Sequence, residues 1–277
     1  MLTFLLNHMQ ATFTRLLLSL LISVPLCFIS CGDEDQDPLE TKKTQENSCQ
    51  VVTNETVLNG VSIGLSQITY NSQGYVTKME IREGLANQSP TVSSRVYVYN
   101  GQNLLVRINY TKGEGQEESY TTFEYNADGT ISRETNYKGT TLYWVSTYTY
   151  DANKRMIQQL RTMDGSTNKF IYEYAGDSQN ISKETYYVQN GTAVSGYRVY
   201  SNYDDKLNPV FMVKGLPLNG ESRNNPAKEV YTSSDGQSTL TDTYSYKYNT
   251  SGAVTEIIRK ASWSQTEYKS LFTYTCN

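Results

Sequence analysis

Short stretches of the chain alternate apolar or aromatic residues with polar ones, which is the period-two pattern of a β-strand with one buried face. In Phe123-Glu124-Tyr125 the two aromatic residues stand two positions apart, so they point to the same side of a strand. The residue between them suits the opposite, solvated side. Helical periodicity is hard to find, so the pattern predicts an all-β protein.

One phrase recurs along the chain: an aromatic or apolar residue, any residue, a tyrosine and then a polar turn. The spacing is about 24–29 residues with one gap of about 45, and such a period indicates repeated supersecondary units. An apolar residue follows most of these tyrosines by about six positions and would start a returning strand, so each unit is predicted to be a β-hairpin. We call the tyrosines of this phrase the repeat tyrosines: Tyr70, Tyr99, Tyr125, Tyr150, Tyr174, Tyr203, Tyr248 and Tyr274.

The repeat tyrosines and the returning strands together predict an antiparallel up-and-down meander of about 16 strands, and so long a twisted sheet tends to curl or close. Cys49 and Cys276 stand at its two ends, and a disulfide between them would hold the first and last strands together. The expected fold is a closed or nearly closed, soluble, porin-like barrel with an aromatic-lined interior. An elongated β-solenoid or a single-layer sheet is the competing architecture, and two free thiols are the alternative to the disulfide.

One stretch, residues 215–226, interrupts the repeat with two prolines and two glycines. Proline cannot donate a hydrogen bond to a strand ladder, so we do not expect a central strand there. Long loops in compact domains are often functional. A plain surface insertion is the alternative.

The first 30 residues have the pattern of a targeting segment. Arg15 precedes an apolar run that ends at Ile29, which suits a signal-peptide core and is shorter than the roughly 20 residues that span a bilayer. The run leads into Ser30-Cys31, which resembles the lipobox of bacterial lipoproteins, so Cys31 is the predicted lipidation site. The predicted domains are a signal peptide (1–30), an acidic tether (31–47) and the hairpin-repeat domain (48–277).

The acidic cluster after Cys31 resembles the signal that sends lipoproteins of Bacteroidetes to the outer face of the outer membrane. The predicted location is therefore the cell surface, with a membrane contact through the lipid. A simple solubilising linker, and an orientation toward the periplasm, is the alternative.

Charge and composition exclude several kinds of chemistry. The formal net charge is −4, which argues against a nucleic-acid partner. The single histidine, His8, lies in the predicted leader, so the mature chain has no histidine for a catalytic triad, a metal site or a general base. We therefore predict no catalytic residue, no metal and no cofactor.

The segment from Asn-Asn-Pro-Ala-Lys at 224–228, through Asp235-Gly236, to Asn-Thr-Ser-Gly at 249–252 resembles Bacteroidetes lipoproteins that carry a domain of unknown function with a porin-like fold. The hairpins also resemble the YD repeats of Rhs-type surface proteins. The resemblance covers roughly residues 60–277 and depends on the repeat pattern. It implies a β-barrel and no known reaction, and this chain has too few repeats for the long shells of Rhs proteins.

Three functions are open. The leading prediction is a non-enzymatic cell-surface module that binds a glycan or another small ligand, with Trp144 and Trp263 as candidate stacking platforms. The second is a structural or accessory subunit that contacts an envelope protein. The third is a glycoside hydrolase that uses carboxylates alone, for which Glu124 and Glu173 are candidates, although alternation places both on the face opposite the aromatic residues.

Overall fold

The computed structural model describes residues 49–84, 89–113, 116–264 and 266–276, and these ranges form one antiparallel sheet of 16 strands closed into a barrel. The predicted meander and its closure are thus confirmed. The strands are β1 Cys49–Leu58, β2 Val61–Tyr70, β3 Val76–Glu83, β4 Thr91–Tyr99, β5 Leu105–Lys112, β6 Gln116–Tyr125, β7 Ile131–Lys138, β8 Thr141–Tyr150, β9 Met156–Met163, β10 Ser166–Tyr174, β11 Ile181–Val188, β12 Ala193–Leu207, β13 Asn224–Ser233, β14 Thr239–Tyr248, β15 Val254–Ala261 and β16 Glu267–Cys276.

The barrel closes where β1 pairs with β16 along its whole length, from Cys49 opposite Cys276 to Leu58 opposite Tyr268. Cross-strand pairs are the unit of sheet stabilisation. At the outer face of this seam the hydroxyls of Thr53 and Thr273 lie 2.6 Å apart. Because both terminal strands are paired, the described sheet has no free edge, and an edge would otherwise be a template for aggregation.

A tyrosine hydroxyl joins each odd-numbered strand to the strand that follows it, from β1–β2 to β15–β16, at one end of the barrel. In every case the hydroxyl donates to a backbone carbonyl of the preceding strand, so it satisfies a strand-end acceptor that a turn does not reach. The pairs are Tyr70 to Val51, Tyr99 to Val76, Tyr125 to Leu105, Tyr150 to Ile131, Tyr174 to Met156, Tyr203 to Ile181, Tyr246 to Pro226 and Tyr274 to Val254, at 2.5–2.8 Å. We call this set the tyrosine ring.

The tyrosine ring matches the repeat tyrosines with one exception. Between β13 and β14 the donor is Tyr246, and Tyr248 donates instead to the carboxylate of Asp204. Asp204 lies in β12, the longest strand, whose register with β13 shifts between Tyr203 and Leu207. The irregular stretch in the sequence therefore displaces the hydrogen-bonding role by two residues.

The turns beside the tyrosine ring share one geometry. In Asn71 the side-chain oxygen accepts from the backbone N–H groups of residues 73 and 75, and Asn100 and Asn249 repeat the arrangement. This local bonding is why Asn favours turns. A β-bulge follows such turns, as on β3, where Val76 and Lys78 pair with Tyr70 and Thr69 and Thr77 is the extra residue. Bulges increase the local twist. The repeated bulge gives the sheet the coiling that closure requires.

The segment between β12 and β13, which contains a short 3-10 helix at Pro209–Met212, folds across this same end of the barrel. We call residues 208–223 the plug. Its apolar side chains Val210, Met212, Val213 and Leu216 are buried, and most of them join the main core cluster.

Hydrogen bonds fix the plug to strands on several sides of the barrel. The N–H of Val76 donates to the carbonyl of Lys214 at 3.0 Å, and Tyr99 donates to the carbonyl of Gly215 at 3.3 Å. On the other side, the N–H of Ile181 donates to Ser222 Oγ at 3.0 Å. The plug therefore blocks one end of the barrel, and we call the opposite end the mouth.

The expectation of no central strand within residues 215–226 is wrong at their C-terminal end, because Asn224 and Pro226 belong to β13, which lies between β12 and β14. Pro226 lies opposite Tyr203 beside the register shift between β12 and β13. Proline is tolerated at such positions because the ladder is already interrupted.

The outer wall carries charged pairs rather than an apolar band. Glu80 is paired with Lys78 at 3.2 Å and with Arg82 at 2.8 Å, all on β3. Lys247 and Glu256 are 2.8 Å apart across β14 and β15. No helix in the described ranges is long and apolar enough to cross a bilayer.

A member of the tyrosine ring tests this account of the fold. Tyr125→Phe removes the donor to the Leu105 carbonyl and should lower the free energy of unfolding by about 1 kcal/mol. Tyr120→Phe is the matched control, since that ring stacks on Tyr137 with centroids 4.9 Å apart on the outer wall. Urea denaturation measures both, and equal losses in the two variants would contradict a special role for the ring.

Candidate ligand-binding cavity

The predicted lipidation site, Cys31, lies outside the described residues, as do the predicted leader and tether. Cys49 and Cys276 are joined by a disulfide. The bond lies at the plugged end, because Cys49 begins β1 and Cys276 ends β16. It links the two strands that form the seam.

The two candidate stacking residues lie apart. Trp144 is on β8 and pairs across the sheet with Met163, and the guanidinium of Arg161 lies 4.6 Å from its ring. Trp263 lies between β15 and β16 and is 44% exposed. Both are near the mouth, but β8 and the β15–β16 connection are on opposite sides of the closed strand order. The structure does not combine them into one platform.

The two candidate carboxylates are on the outer wall, as alternation predicts. Glu124 pairs with Arg133 at 3.8 Å, and Glu173 pairs with Lys183 at 3.2 Å. Both side chains are exposed. They face away from the barrel interior.

A cavity of about 380 Å³ lies inside the barrel and is partly open to solvent. The plug forms its floor with Val210, Val213 and Asn219, and aromatic side chains form much of its wall. Small-molecule sites typically fall between 300 and 1,000 Å³ and combine apolar walls with a few polar groups. The contributing rings are Tyr148, Phe170, Tyr172, Tyr200, Tyr244, Tyr246, Tyr268 and Phe272.

Charged side chains occupy the inward positions between the plug and the mouth. They come from β7, β9 and β11 to β15, so they line one side of the interior as a continuous arc. We call this set the polar belt: Glu134, Arg161, Glu184, Arg198, Glu229, Asp242 and Arg259.

Tyrosine hydroxyls donate hydrogen bonds to a carboxylate of the belt. Glu184 accepts from the hydroxyl of Tyr186 at 2.5 Å and from that of Tyr200 at 3.1 Å. Such hydrogen bonds are what permit a carboxylate to be buried. The belt is therefore a fixed hydrogen-bonded surface.

Arginines complete the belt. Arg198 Nε lies 2.7 Å from Glu229, an ion pair too bent to count as a hydrogen bond. Burial is the largest single influence on Arg198 and opposes its charge, but Glu229, Tyr186, Tyr200 and Glu184 together outweigh it and raise the pKa of the guanidinium. Arg259 Nε donates to Asp242 at 2.8 Å.

Glu134 has the most strongly buried environment of the belt acids, with 5% of its surface exposed. Burial raises the pKa of its carboxyl, although Arg161 and a hydrogen bond donated by Tyr148 act in the other direction. Desolvation disfavours the charged form of an acid. The protein thus keeps a weak acid inside the barrel.

Two asparagine side chains of the cavity wall each have one atom with no hydrogen-bond partner among the described residues: Asn54 Oδ1 and Asn219 Nδ2. Asn54 is on β1, and Asn219 is in the plug, where its Oδ1 accepts from Tyr150 at 2.9 Å. Leaving a buried polar atom unpaired costs free energy. Both atoms are closed to solvent, so a ligand in the cavity would pair with them only after the side chains turn toward it.

The belt residues were not among those predicted from the sequence. The sequence did contain a signal for the belt. Glu184 and Arg198 each stand two residues before an inward tyrosine, Tyr186 and Tyr200, so they point to the same face of their strands. Charged residues are rarely buried, so a strand face that carries them is normally predicted to be the outer, solvated one. Within the described ranges no group of three or more acidic, Cys or His residues could hold a metal ion.

The barrel has the fold of solved porin-like structures. A porin-like protein from Bacteroides uniformis superposes with a TM-score of 0.56 at 12% identity, over 81% of this chain and 96% of that chain. A porin-like protein from Bacteroides vulgatus gives a TM-score of 0.40 at 12% identity, over 82% and 98%. The TcdB2-TccC3-Cdc42 structure gives 0.30 at 12% identity, over 74% of this chain and 14% of that chain.

At this identity the Bacteroides uniformis structure establishes a shared fold and nothing more about activity. No protein-family model matches the chain, and no curated protein matches it either. The chain is therefore a barrel of the porin-like fold class.

The buried acid predicts a pH dependence. Because the native pKa of Glu134 is raised above the ordinary value of 4.5, its stabilising effect is present below that value and is lost as pH rises through the native pKa. Glu134→Gln cannot ionise, so it should match the wild type near pH 4 and become progressively more stable than it at higher pH. Urea denaturation from pH 4 to 8 measures this.

Glu124→Gln is the control for this experiment, because Glu124 is solvated on the outer wall. The gain in stability of Glu134→Gln with rising pH should exceed any change seen in Glu124→Gln. A pH dependence no larger than that of the control would contradict the buried environment described for Glu134.

Proposed function

We propose that the protein is a non-enzymatic binding module whose barrel interior holds a small hydroxylated ligand, with a mono- or oligosaccharide as the chemical class. The observation that carries this proposal is the cavity of about 380 Å³ in which aromatic rings and converging polar side chains meet. A barrel filled throughout would instead favour the structural or accessory role.

The chemistry of the walls favours a sugar. Ring hydroxyls donate and accept, and carboxylates, amides and guanidinium groups offer both partners in fixed directions. The belt balances arginines against carboxylates in pairs such as Arg198 with Glu229 and Arg259 with Asp242, so it favours a neutral hydroxylated group over an ion. Tyrosine and phenylalanine rings supply apolar faces for the C–H side of a sugar.

We propose further that the protein is a lipoprotein of Bacteroidetes type, attached through Cys31 to the outer membrane and exposed at the cell surface. The charged outer wall supports this placement, because a membrane barrel presents an apolar band. Cys49 lies at the plugged end, so a tether from Cys31 would leave the mouth facing away from the membrane. A periplasm-facing orientation is the alternative.

A second candidate function is hydrolysis of a glycoside by carboxylates alone. Carboxylates that were not predicted from the sequence, among them Glu134, Glu184 and Glu229, line the cavity, and the raised pKa of Glu134 suits a general acid. Glu184 and Glu229 are, however, held by hydroxyls and by Arg198. Binding without turnover is therefore the preferred reading.

A glycan array with the folded domain, residues 48–277, tests the binding proposal, and mass spectrometry of the bound glycans tests turnover. We expect selective binding with no cleavage. Uniformly blank arrays would overturn the glycan proposal, and release of shortened products would favour the hydrolase.

The unpaired atom of Asn54 gives the sharper test. Asn54→Ala should weaken binding of the array ligand roughly 3- to 10-fold, the value of one hydrogen bond, without lowering the free energy of unfolding. The reason is that the Asn54 Oδ1 has no partner to lose in the free protein within the described residues. Asn153→Ala, in an exposed turn, is the control, and a loss of stability with unchanged affinity in Asn54→Ala would count against the proposal.

A further inference from the structure

Apolar side chains stand exposed around the inner rim of the mouth. Val61, Met163, Val188 and Leu240 lie at the mouth ends of β2, β9, β11 and β14, and each is between 38% and 41% exposed. We call these four residues the collar. Met163 and Val188 are the nearest pair along the strand order, two strands apart, whereas Val61 and Leu240 belong to other sides of the rim. Exposed apolar groups that lie together often mark an interaction site.

Register places the collar on the interior side of the wall. Met163 pairs with Trp144, two positions from the fully buried Ser146. Leu240 pairs with Tyr231, whose ring lies 6.4 Å from that of Tyr186. Successive residues of a strand alternate between faces, so these side chains share the face of the polar belt.

The collar and the polar belt form two successive layers. One inward position deeper than Met163 is Arg161, and one inward position deeper than Leu240 is Asp242. Below Val188 come Tyr186 and then Glu184. Anything that reaches the cavity from the mouth therefore passes apolar side chains first and charged ones second.

We propose that the ligand is amphiphilic: a glycoside whose sugar lies against the polar belt and whose apolar substituent, an alkyl chain or similar group, lies against Met163 and Val188 of the collar. This inference depends on the proposed sugar site and names the ligand class for it. The two layers match the two parts of such a molecule in order and in polarity. Contact with the substituent would remove apolar surface of the collar from water. Removal of apolar surface from water is the main driving force for apolar contact.

Calorimetry with matched pairs of methyl and hexyl β-glycosides of glucose, galactose and mannose tests the inference with the whole folded domain. For the sugar that binds, the hexyl glycoside should bind about 10- to 100-fold more tightly than the methyl glycoside, since each fully buried methylene contributes about fourfold. Met163→Thr and Val188→Thr should each reduce this gain while leaving the methyl glycoside unaffected. Val98→Thr is the control, because Val98 is 39% exposed on a strand of the opposite wall, β4.

The outcomes separate the two proposals. Equal affinity for methyl and hexyl glycosides would overturn the amphiphilic ligand and leave the sugar site standing. A hexyl gain that survives both collar variants would also overturn it, because the chain would then lie elsewhere. No binding of any of the glycosides would overturn both proposals.

Discussion

The pairing of β1 with β16 is the interaction on which the rest of the structure depends. Without it, 16 strands would form an open, coiled sheet with two free edges, and the inward side chains would face solvent. The pairing runs from Cys49 opposite Cys276 to Leu58 opposite Tyr268, and the disulfide lies at its plugged end. Closure turns one face of the sheet into an interior, and the plug then gives that interior a floor. The cavity, the polar belt and the collar exist only because the two terminal strands meet.

Tyrosine explains how such an interior can be both packed and polar. Its ring contributes apolar area, while its hydroxyl can satisfy a backbone carbonyl or a carboxylate. At the plugged end the hydroxyls bond strand ends, as Tyr125 does to Leu105. Nearer the middle they bond the acids of the belt, as Tyr200 does to Glu184. The same residue type thus joins neighbouring strands and supplies the hydrogen bonds that permit buried carboxylates. This double role is consistent with 24 tyrosines in the chain.

Much of the fold was predictable because short sequence patterns that recur along the chain specify it. The spacing of the repeat tyrosines, the Asn-rich turns and the cysteines at both ends predict hairpins, a meander and closure. The cavity was not predictable, because it depends on residues far apart in sequence. Asn54 and Asn219 contribute to one wall and floor only after the barrel closes and the plug folds in. Alternation could place Glu184 inward, but only the closed structure shows Tyr186 and Tyr200 supplying its hydrogen bonds.

In the proposed mode of binding, ligands lie inside the barrel and not on its outer wall. A crystal structure of the domain with the glycoside that binds most tightly tests this directly. We expect sugar density between Asn54 and Asn219, beside the polar belt, with the substituent directed toward Met163 and Val188. Density on the outer wall, for example at the stacked Tyr120 and Tyr137 rings, with the cavity free of ligand, would contradict it.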